Sequence, residues 1–179
     1  MFAGISTALI TPFKTDGTVD EDAFRRLIDF QEENGVDVIV PCGSTGESAT
    51  LSPDEHIRVI EIAVDQAKKA KVLAGAGSNS TAEAITLSRH AEDLGADGIL
   101  SISPYYNKPT QEGIYLHYKA IAESVEIPIV VYNVPGRTGS NITSETMLRM
   151  AEIPGIDAVK EASGNMAQVQ RIIAGRPKG

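Results

Sequence analysis

The sequence predicts an α/β fold of the (β/α)8 TIM-barrel type. Short apolar runs typical of buried parallel strands alternate with amphipathic helical segments along the whole chain. A Gly-x-Asp-x-(Ile/Val) segment also recurs at residues 35–39, 95–99 and 155–159, which marks every second strand–helix unit. This regular spacing favours a barrel over the other architecture considered, a doubly wound open sheet, in which the direction of connection switches.

Six runs rich in Val, Ile and Ala predict the strands. Their near-continuous apolar content suits parallel strands that are covered on both faces. The predicted strands are Gly4–Ile10, Val36–Pro41, Val72–Ala76, Gly98–Ser103, Ile127–Tyr132 and Ile156–Lys160.

Helices are predicted between the strands from apolar residues at helical spacing. The clearest start is Ser52-Pro53-Asp54-Glu55, a capping box with proline at the first helical position, which opens a helix toward Ala70. The other predicted helices are Glu21–Glu33, Thr81–Leu94, Gln111–Val125 and Ser144–Ala151.

No linker or low-complexity segment interrupts this alternation, so residues 1–179 are expected to form a single barrel domain. A complete barrel has eight units and about 250 residues. The chain supplies about the first six units, and its turn-like last residues, 175–179, stand where a seventh strand is expected. The domain is therefore expected to be truncated before strand seven.

Composition excludes several classes of function. The net charge of −8 argues against a nucleic-acid partner or an anionic membrane surface. The single cysteine, Cys42, allows no internal disulfide and fits a reducing compartment. With neither a signal peptide nor an apolar run of about 20 residues, the expected location is the cytoplasm.

Lys160 is the most informative single residue. In the aligned repeats it falls where the sibling strands carry Val40 and Leu100. Lysine is rarely buried without a purpose, and a desolvated lysine has a lowered pKa and becomes an amine nucleophile. This position therefore suggests Schiff-base chemistry with a carbonyl substrate. The alternative is a solvated lysine at the strand end that pairs with a carboxylate such as Glu161.

Other candidate residues follow the predicted strands, at the edge where barrel chemistry is found. Gly43–Ser48 predicts converging backbone N–H groups that could bind a small anion, or only a capped turn. Gly75–Ser80 lacks the third glycine of a dinucleotide fingerprint, which disfavours nicotinamide binding. Further along come Tyr105, Tyr106, Tyr132 and Arg137, each weak alone but expected on one rim.

The three histidines do not predict a metal site. His56, His90 and His117 lie on predicted helices and share no metal-ligand spacing with each other or with the cysteine. They are expected to be solvated or partly packed helix residues, and no metal is expected.

Four ordered runs resemble the pyruvate-dependent class I aldolases, the family that includes N-acetylneuraminate lyase. The runs are Gly43–Glu47, Tyr105–Asn107, Tyr132–Gly139 and Val159–Asn165, and the likeness extends over the whole chain. Pro135-Gly136-Arg137-Thr138-Gly139 resembles the synthase branch, because the lyase branch lacks this arginine.

The resemblance implies a lyase or synthase that condenses pyruvate with aspartate semialdehyde to 4-hydroxy-tetrahydrodipicolinate in lysine (diaminopimelate) biosynthesis. It implies no cofactor, only a covalent imine of pyruvate on Lys160. Tyr132 would carry protons beside the imine, and Ser44 and Tyr106 would complete a hydroxyl relay. Thr45, with the backbone of Gly43 and Gly46, would hold the pyruvate carboxylate, and Arg137 the semialdehyde carboxylate.

The resemblance also implies a homo-oligomer, a dimer of dimers, in which Tyr106 reaches into a neighbouring subunit. A lysine effector would bind between subunits. Its contact residues would be Ser48, Ala49, His56, Asn79, Glu83 and Tyr105.

Two alternatives stay open. Ser44 replaces the usual threonine of the synthase and is common among sugar-acid members, so a 2-keto-3-deoxy sugar-acid or N-acetylneuraminate aldolase is the runner-up. A truncated, inactive family member is the other. With six strands, the Lys160 strand is expected to be an exposed edge on which the amine is hydrated and keeps an ordinary pKa. Residues 1–179 alone are therefore expected to be aggregation-prone and inactive.

Overall fold

The computed structural model describes residues 2–177, in which strands and helices alternate from end to end. The strands are β1 (Ser6–Ala8), β2 (Val38–Val40), β3 (Lys71–Gly75), β4 (Gly98–Ile102), β5 (Ile129–Asn133) and β6 (Ile156–Glu161). The helices are α1 (Glu21–Glu33), α2 (Pro53–Gln66), α3 (Thr81–Asp93), α4 (Gln111–Ala122), α5 (Pro135–Thr138), α6 (Ser144–Met150) and α7 (Met166–Gly175). All six predicted strands and all five predicted helices are present.

The chain divides into two compact units, within which neighbouring strands run parallel. The first unit contains the residues up to Ala76 and His90–Ile99, and the second contains Gly77–Arg89 and the residues from Leu100 onward. In the first unit the order is β1-β2-β3, with Ala8 opposite Val40. In the second unit the order is β4-β5-β6, β4 being the strand in which the chain passes from the first unit to the second. Strands that follow chain order without reversal are typical of a barrel and not of a doubly wound sheet.

Side-chain caps explain where most of the helices begin. In each case a short polar side chain accepts a hydrogen bond from a backbone N–H of the first turn, which stabilises the helix by about 1 kcal/mol. The predicted capping box is confirmed, because Glu55 in turn accepts from the N–H of Ser52 at 2.8 Å. The capping residues are Asp20 for α1, Ser52 for α2, Thr110 for α4, Thr143 for α6 and Asn165 for α7.

Two helices were not predicted. The segment Pro135–Thr138 forms the single-turn helix α5, which ends at Gly139 in the left-handed region (φ 75°). Helix α7 follows β6, and its two buried residues are Gln168 and Ile172. Of the predicted turn at residues 175–179, the last two lie outside the described residues.

The prediction for the histidines was wrong for two of the three. His56 and His117 are buried, because the faces of α2 and α4 that carry them point into the core. The Nδ1 atom of His117 lies 2.9 Å from the hydroxyl of Thr81, and burial lowers the pKa of His117 to about 4. His117 is therefore a neutral core residue at physiological pH.

Cys42 is a buried free thiol, and burial raises its pKa to about 12, which makes it a poor nucleophile. Among residues 2–177, no group of three or more His, Cys, Asp or Glu side chains is placed to hold a metal ion. None of the helices described is long and apolar enough to cross a membrane.

Candidate active site

Lys160 and Tyr132 lie side by side at the carboxyl ends of neighbouring strands. They are paired positions in the parallel register of β5 and β6. The Nζ atom of Lys160 sits over the ring of Tyr132, 4.5 Å from its centroid. Tyr132 is buried, and its carbonyl accepts a hydrogen bond from the N–H of Ser103 at 2.9 Å. The amine of Lys160 thus lies over the face of the Tyr132 phenol ring.

The environment of Lys160 differs from both sequence-based expectations. β6 is not a fully buried strand, and Lys160 is exposed, because β5 is the only described strand that pairs with β6. Yet the pKa of Lys160 is lowered from the ordinary lysine value, because partial burial disfavours the charged ammonium. The expectation of an ordinary pKa at an exposed edge was therefore wrong.

Lys160 does not pair with Glu161. None of the ion pairs in the described part of the chain includes Lys160. Successive side chains of a strand point to opposite faces, so the Glu161 carboxylate lies on the other side of β6. There it accepts hydrogen bonds from Asn133, Ser163 and Gln168. The charged-pair alternative for this lysine is thereby excluded in this structure.

Arg137 in α5 and Tyr106 in the segment after β4 belong to parts of the second unit that contact each other. The N–H of Tyr106 donates to the carbonyl of Thr138 at 3.1 Å, one residue beyond Arg137 in α5. Arg137 is exposed, and no ion pair in the described chain engages its guanidinium. Tyr106 is 88% exposed and has a left-handed backbone (φ 72°), which is uncommon for a bulky residue. Its ring therefore projects away from its own unit.

The Gly43–Ser48 loop in the first unit forms a turn that is closed by its own backbone hydrogen bonds. The N–H of Gly46 and that of Ser48 both donate to the carbonyl of Gly43. The N–H groups of Ser44 and Thr45 donate to no other described residue, and both residues are exposed. A side chain at position 46 would meet the Leu9 carbonyl at 3.0 Å, which explains the glycine. Free, adjacent N–H groups on a glycine-rich turn suit a small anion.

Three of the predicted effector residues lie close together in the second unit. The Asn79 side chain donates to the carbonyl of Tyr105 at 3.1 Å, and the Glu83 carboxylate accepts from the hydroxyl of Ser78. The other three belong to the first unit, where His56 is buried on α2, Ser48 is half-buried and Ala49 is exposed.

Sequence reasoning missed a polar cluster, partly buried, next to Lys160 and Tyr132. We call it the amide–carboxylate cluster, and it consists of Asn133, Asn141, Glu161 and Gln168. A signal was present, because Asn133 directly follows Tyr132 and Glu161 directly follows Lys160. Two polar residues at equivalent ends of neighbouring apolar strands indicate a shared interaction.

The chain matches a family model described as the dihydrodipicolinate synthetase family over residues 1–178. It is 58% identical over 178 residues to a 4-hydroxy-tetrahydrodipicolinate synthase of Chloroherpeton thalassium. That match covers 98% of this chain and 59% of the relative, so the chain spans about three fifths of the length of the curated relatives it matches.

Solved structures give the same result. A dihydrodipicolinate synthase from Aquifex aeolicus matches with a TM-score of 0.96 and 48% identity, over 99% of this chain and 61% of that one. The chloride-inhibited enzyme from Acinetobacter baumannii, complexed with pyruvate, matches with a TM-score of 0.94 and 45% identity, over 98% of this chain and 62% of that one. These likenesses confirm the predicted fold class, a (β/α) barrel of which this chain supplies six strand–helix units. The chain therefore belongs to the dihydrodipicolinate synthetase family.

Proposed function

We propose that this protein is a Schiff-base-forming lyase that condenses pyruvate with aspartate semialdehyde to 4-hydroxy-tetrahydrodipicolinate, a step of lysine biosynthesis. The observation that carries the proposal is the pair formed by Lys160 and Tyr132 at the ends of β5 and β6. The Nζ atom of Lys160, whose pKa is lowered, lies 4.5 Å from the centroid of the Tyr132 ring, which supports a nucleophile with Tyr132 as its neighbouring proton carrier. The names of its relatives support the choice of substrates.

The first half of the reaction forms the imine. The neutral Nζ of Lys160 attacks the ketone carbon of pyruvate, and loss of water leaves a protonated imine on the lysine. The imine withdraws electrons from the neighbouring methyl group, so that a proton leaves it and an enamine forms. The lowered pKa of Lys160 favours the first step, because it raises the fraction of neutral amine at a given pH.

The second half joins the two substrates. The enamine carbon attacks the aldehyde carbon of aspartate semialdehyde, and the aldehyde oxygen takes up a proton. The amine of the semialdehyde then attacks the imine carbon, which closes the ring and releases Lys160. In this scheme Tyr132 carries protons beside the imine, and Ser44 and Tyr106 form the remainder of the relay. The exposed ring of Tyr106 supports a role in a neighbouring subunit of a homo-oligomer.

Two anion sites complete the proposed binding of substrates. The free N–H groups at Ser44 and Thr45, on the turn that Gly43 and Gly46 allow, would hold the pyruvate carboxylate. The exposed guanidinium of Arg137 would bind the semialdehyde carboxylate with two parallel hydrogen bonds, a geometry that lysine cannot reproduce.

A sugar-acid aldolase of the same mechanism is the second candidate. Ser44 favours it, since the resemblance places serine at this position among sugar-acid members of the family and threonine in the synthase. The two candidates share imine formation and differ only in the aldehyde. Turnover with pyruvate and aspartate semialdehyde, compared with cleavage of 2-keto-3-deoxy sugar acids or N-acetylneuraminate, therefore separates them.

The proposal includes a lysine effector site between subunits of the homo-oligomer, with Ser48, Ala49, His56, Asn79, Glu83 and Tyr105 as its contact residues. In it the Glu83 carboxylate would bind the effector's ammonium group, in exchange for the Ser78 hydroxyl that it now accepts. Lysine is then expected to lower turnover, and Glu83→Ala to relieve the inhibition. Unchanged turnover in millimolar lysine would rule this part out.

Trapping of the imine tests the proposed function. With pyruvate and borohydride the chain is expected to gain one covalent adduct, and peptide mass spectrometry should find it on Lys160. Lys160→Ala should gain none, whereas Lys119→Ala, which removes an exposed lysine on α4 of the same unit, should gain the adduct as before. An adduct on another lysine, or none in the unsubstituted chain, would contradict the assignment.

A further inference from the structure

The amide–carboxylate cluster has a dense set of internal hydrogen bonds. Asn133 is fully buried, and its amide nitrogen lies 3.1 and 3.0 Å from the two carboxylate oxygens of Glu161. Gln168, on α7, donates to the same carboxylate at 3.0 Å and to the carbonyl of Ile142 at 3.1 Å. Asn141 closes the set by donating to the Gln168 side chain at 2.9 Å. The cluster therefore joins β5, β6, α7 and the segment after α5.

The only charge in this cluster is the carboxylate of Glu161. Burial raises the pKa of this group, but hydrogen bonds from Ser163, Asn133 and Gln168 outweigh that effect and hold the pKa below its ordinary value. No ion pair in the described chain includes Glu161, so neutral amides and a backbone N–H satisfy it. Partial burial of an ionised carboxylate without a cation costs free energy. Hydrogen bonds that satisfy such a group also fix the positions of the segments that donate them.

The position of Glu161 in the strand register shows which segments are fixed in this way. Asn133 and Glu161 are directly opposite each other, one step beyond the pair Tyr132 and Lys160. The register of β5 and β6 shifts between Ile129 and Val130. The backbone hydrogen bonds at the start of this strand pair are therefore irregular. A slip of one residue would exchange the faces of β6 and move Lys160 away from the tyrosine ring. The side-chain bonds between Asn133 and Glu161 oppose that slip at the other end.

We propose that Glu161, held by Asn133, Asn141 and Gln168, is a positioning residue that keeps the Lys160 amine on the Tyr132 ring. This inference rests on the proposed function, because its consequence is the rate at which Lys160 forms an imine. Glu161 touches no substrate and acts through the strand that carries Lys160. Gln168 extends the same support to α7, so that the helix after β6 also helps to hold the lysine.

The substitution Glu161→Gln tests the inference, because it replaces the acceptor with an amide that faces the donors of Asn133 and Gln168. We expect imine trapping at Lys160 to slow by about tenfold to 100-fold, the range for a small misplacement of a reacting group. Glu112→Gln is the matched control, since Glu112 forms an exposed ion pair with Arg149 in the same unit. The control should trap at the unsubstituted rate.

A readout without pyruvate separates failure of this inference from failure of the proposed function. The pH dependence of acylation of Lys160, followed by peptide mass spectrometry, reports the pKa of its amine. In Glu161→Gln the midpoint should rise toward the ordinary lysine value of 10.5, because a loosened side chain becomes hydrated. A carboxylate that acted only through its charge would give the opposite shift, and a carboxylate that acted only on stability would lower the melting temperature without moving the midpoint. Either result would overturn the inference.

A rescue variant keeps the test decisive if Glu161→Gln unfolds. Glu161→Gln combined with Gln168→Glu returns one carboxylate to the cluster, on the α7 side, with amide donors facing it. This double variant should recover the acylation midpoint and most of the trapping rate. If the double variant folds but the midpoint stays near the ordinary lysine value, the cluster does not position Lys160.

Discussion

Strands β2 and β6 carry the same Gly-x-Asp-x-(Ile/Val) motif and have very different environments. All three residues of β2 are buried, including Val40 at 4% exposed. In β6 only Ile156 is buried, and the position equivalent to Val40 is the exposed Lys160. The motif therefore determines that a strand forms after a helix, and it does not determine how deeply that strand is buried.

The aspartate of the motif shows the same contrast. Asp37 accepts a hydrogen bond from the N–H of Ile5, and its equivalent Asp97 accepts one from Val72, each at 2.8 Å. Asp157 accepts no such bond among residues 2–177 and is exposed. In β6, Glu161 makes the side-chain contacts to the neighbouring strand instead, at the carboxyl end. In this copy of the repeat, the side-chain hydrogen bond to the neighbouring strand is therefore at the carboxyl end of the strand, beside the candidate active site, and not at its start.

Exchanging the aligned residues Val40 and Lys160 should give the largest change in the free energy of unfolding. Val40→Lys places an ammonium group in a fully buried strand, and we expect the free energy of unfolding to fall by more than about 4 kcal/mol. Lys160→Val removes an exposed charge, and the expected change is within about 0.5 kcal/mol, with complete loss of pyruvate trapping. Urea unfolding measures both variants. Similar losses of stability in the two would show that β6 is as buried as β2.

Removing the motif aspartate should give the next largest change in the free energy of unfolding. Asp97→Ala leaves the N–H of Val72 without its acceptor and is expected to lower the free energy of unfolding by about 1–3 kcal/mol. Asp157→Ala is the matched control and is expected to change it by less than about 0.5 kcal/mol. Urea unfolding compares the pair. An equal cost for both would mean that Asp157 has a partner similar to that of Asp97.

Substitution of the motif glycine by alanine should destabilise the protein by similar amounts in the two copies. Gly35 and Gly155 have φ values of 77° and 87°, and a side chain at either position would meet no atom within 4 Å. The cost of alanine is therefore backbone strain alone, about 1–2 kcal/mol in each variant. Melting temperatures of Gly35→Ala and Gly155→Ala should fall by similar amounts. A much larger fall for one of them would show that the two turns are not equivalent.

The smallest effect expected is a pH dependence of stability that comes from Lys160. Its pKa is lowered in the folded state, so between that lowered value and about 10.5 the unfolded chain binds more protons than the folded chain. Stability should therefore rise with pH through this window and be lost as pH falls through the folded pKa. The contribution is at most one bound proton.

The control for this prediction is Lys160→Val, in which the slope of unfolding free energy against pH should be smaller across the same window. The same comparison can be made for Val40→Lys, where the introduced ammonium is fully buried and the slope should be steeper than in the unsubstituted chain. A slope unaffected by Lys160→Val would mean that this amine is equally hydrated in the folded and unfolded chains.

The sequence alone determined the order of the elements and the identity of the candidate residues. Apolar runs, caps such as Ser52 with Glu55, and the three-fold repeat of the motif are local patterns, and each has a local physical cause. Lys160 could be singled out because its sibling positions provide an internal comparison. The ordered motifs were enough to indicate the family, which the comparisons confirm.

Only the tertiary structure decided the environment of those residues. That Lys160 is exposed yet has a lowered pKa, that His117 is buried and neutral, and that Glu161 bonds to Asn133 all depend on segments far apart in the chain. The burial of Gln168 on α7 belongs with these, since its partners Glu161 and Asn141 lie in other segments. Solvation and cross-strand hydrogen bonds are set by which segments pack together, and no local pattern encodes that.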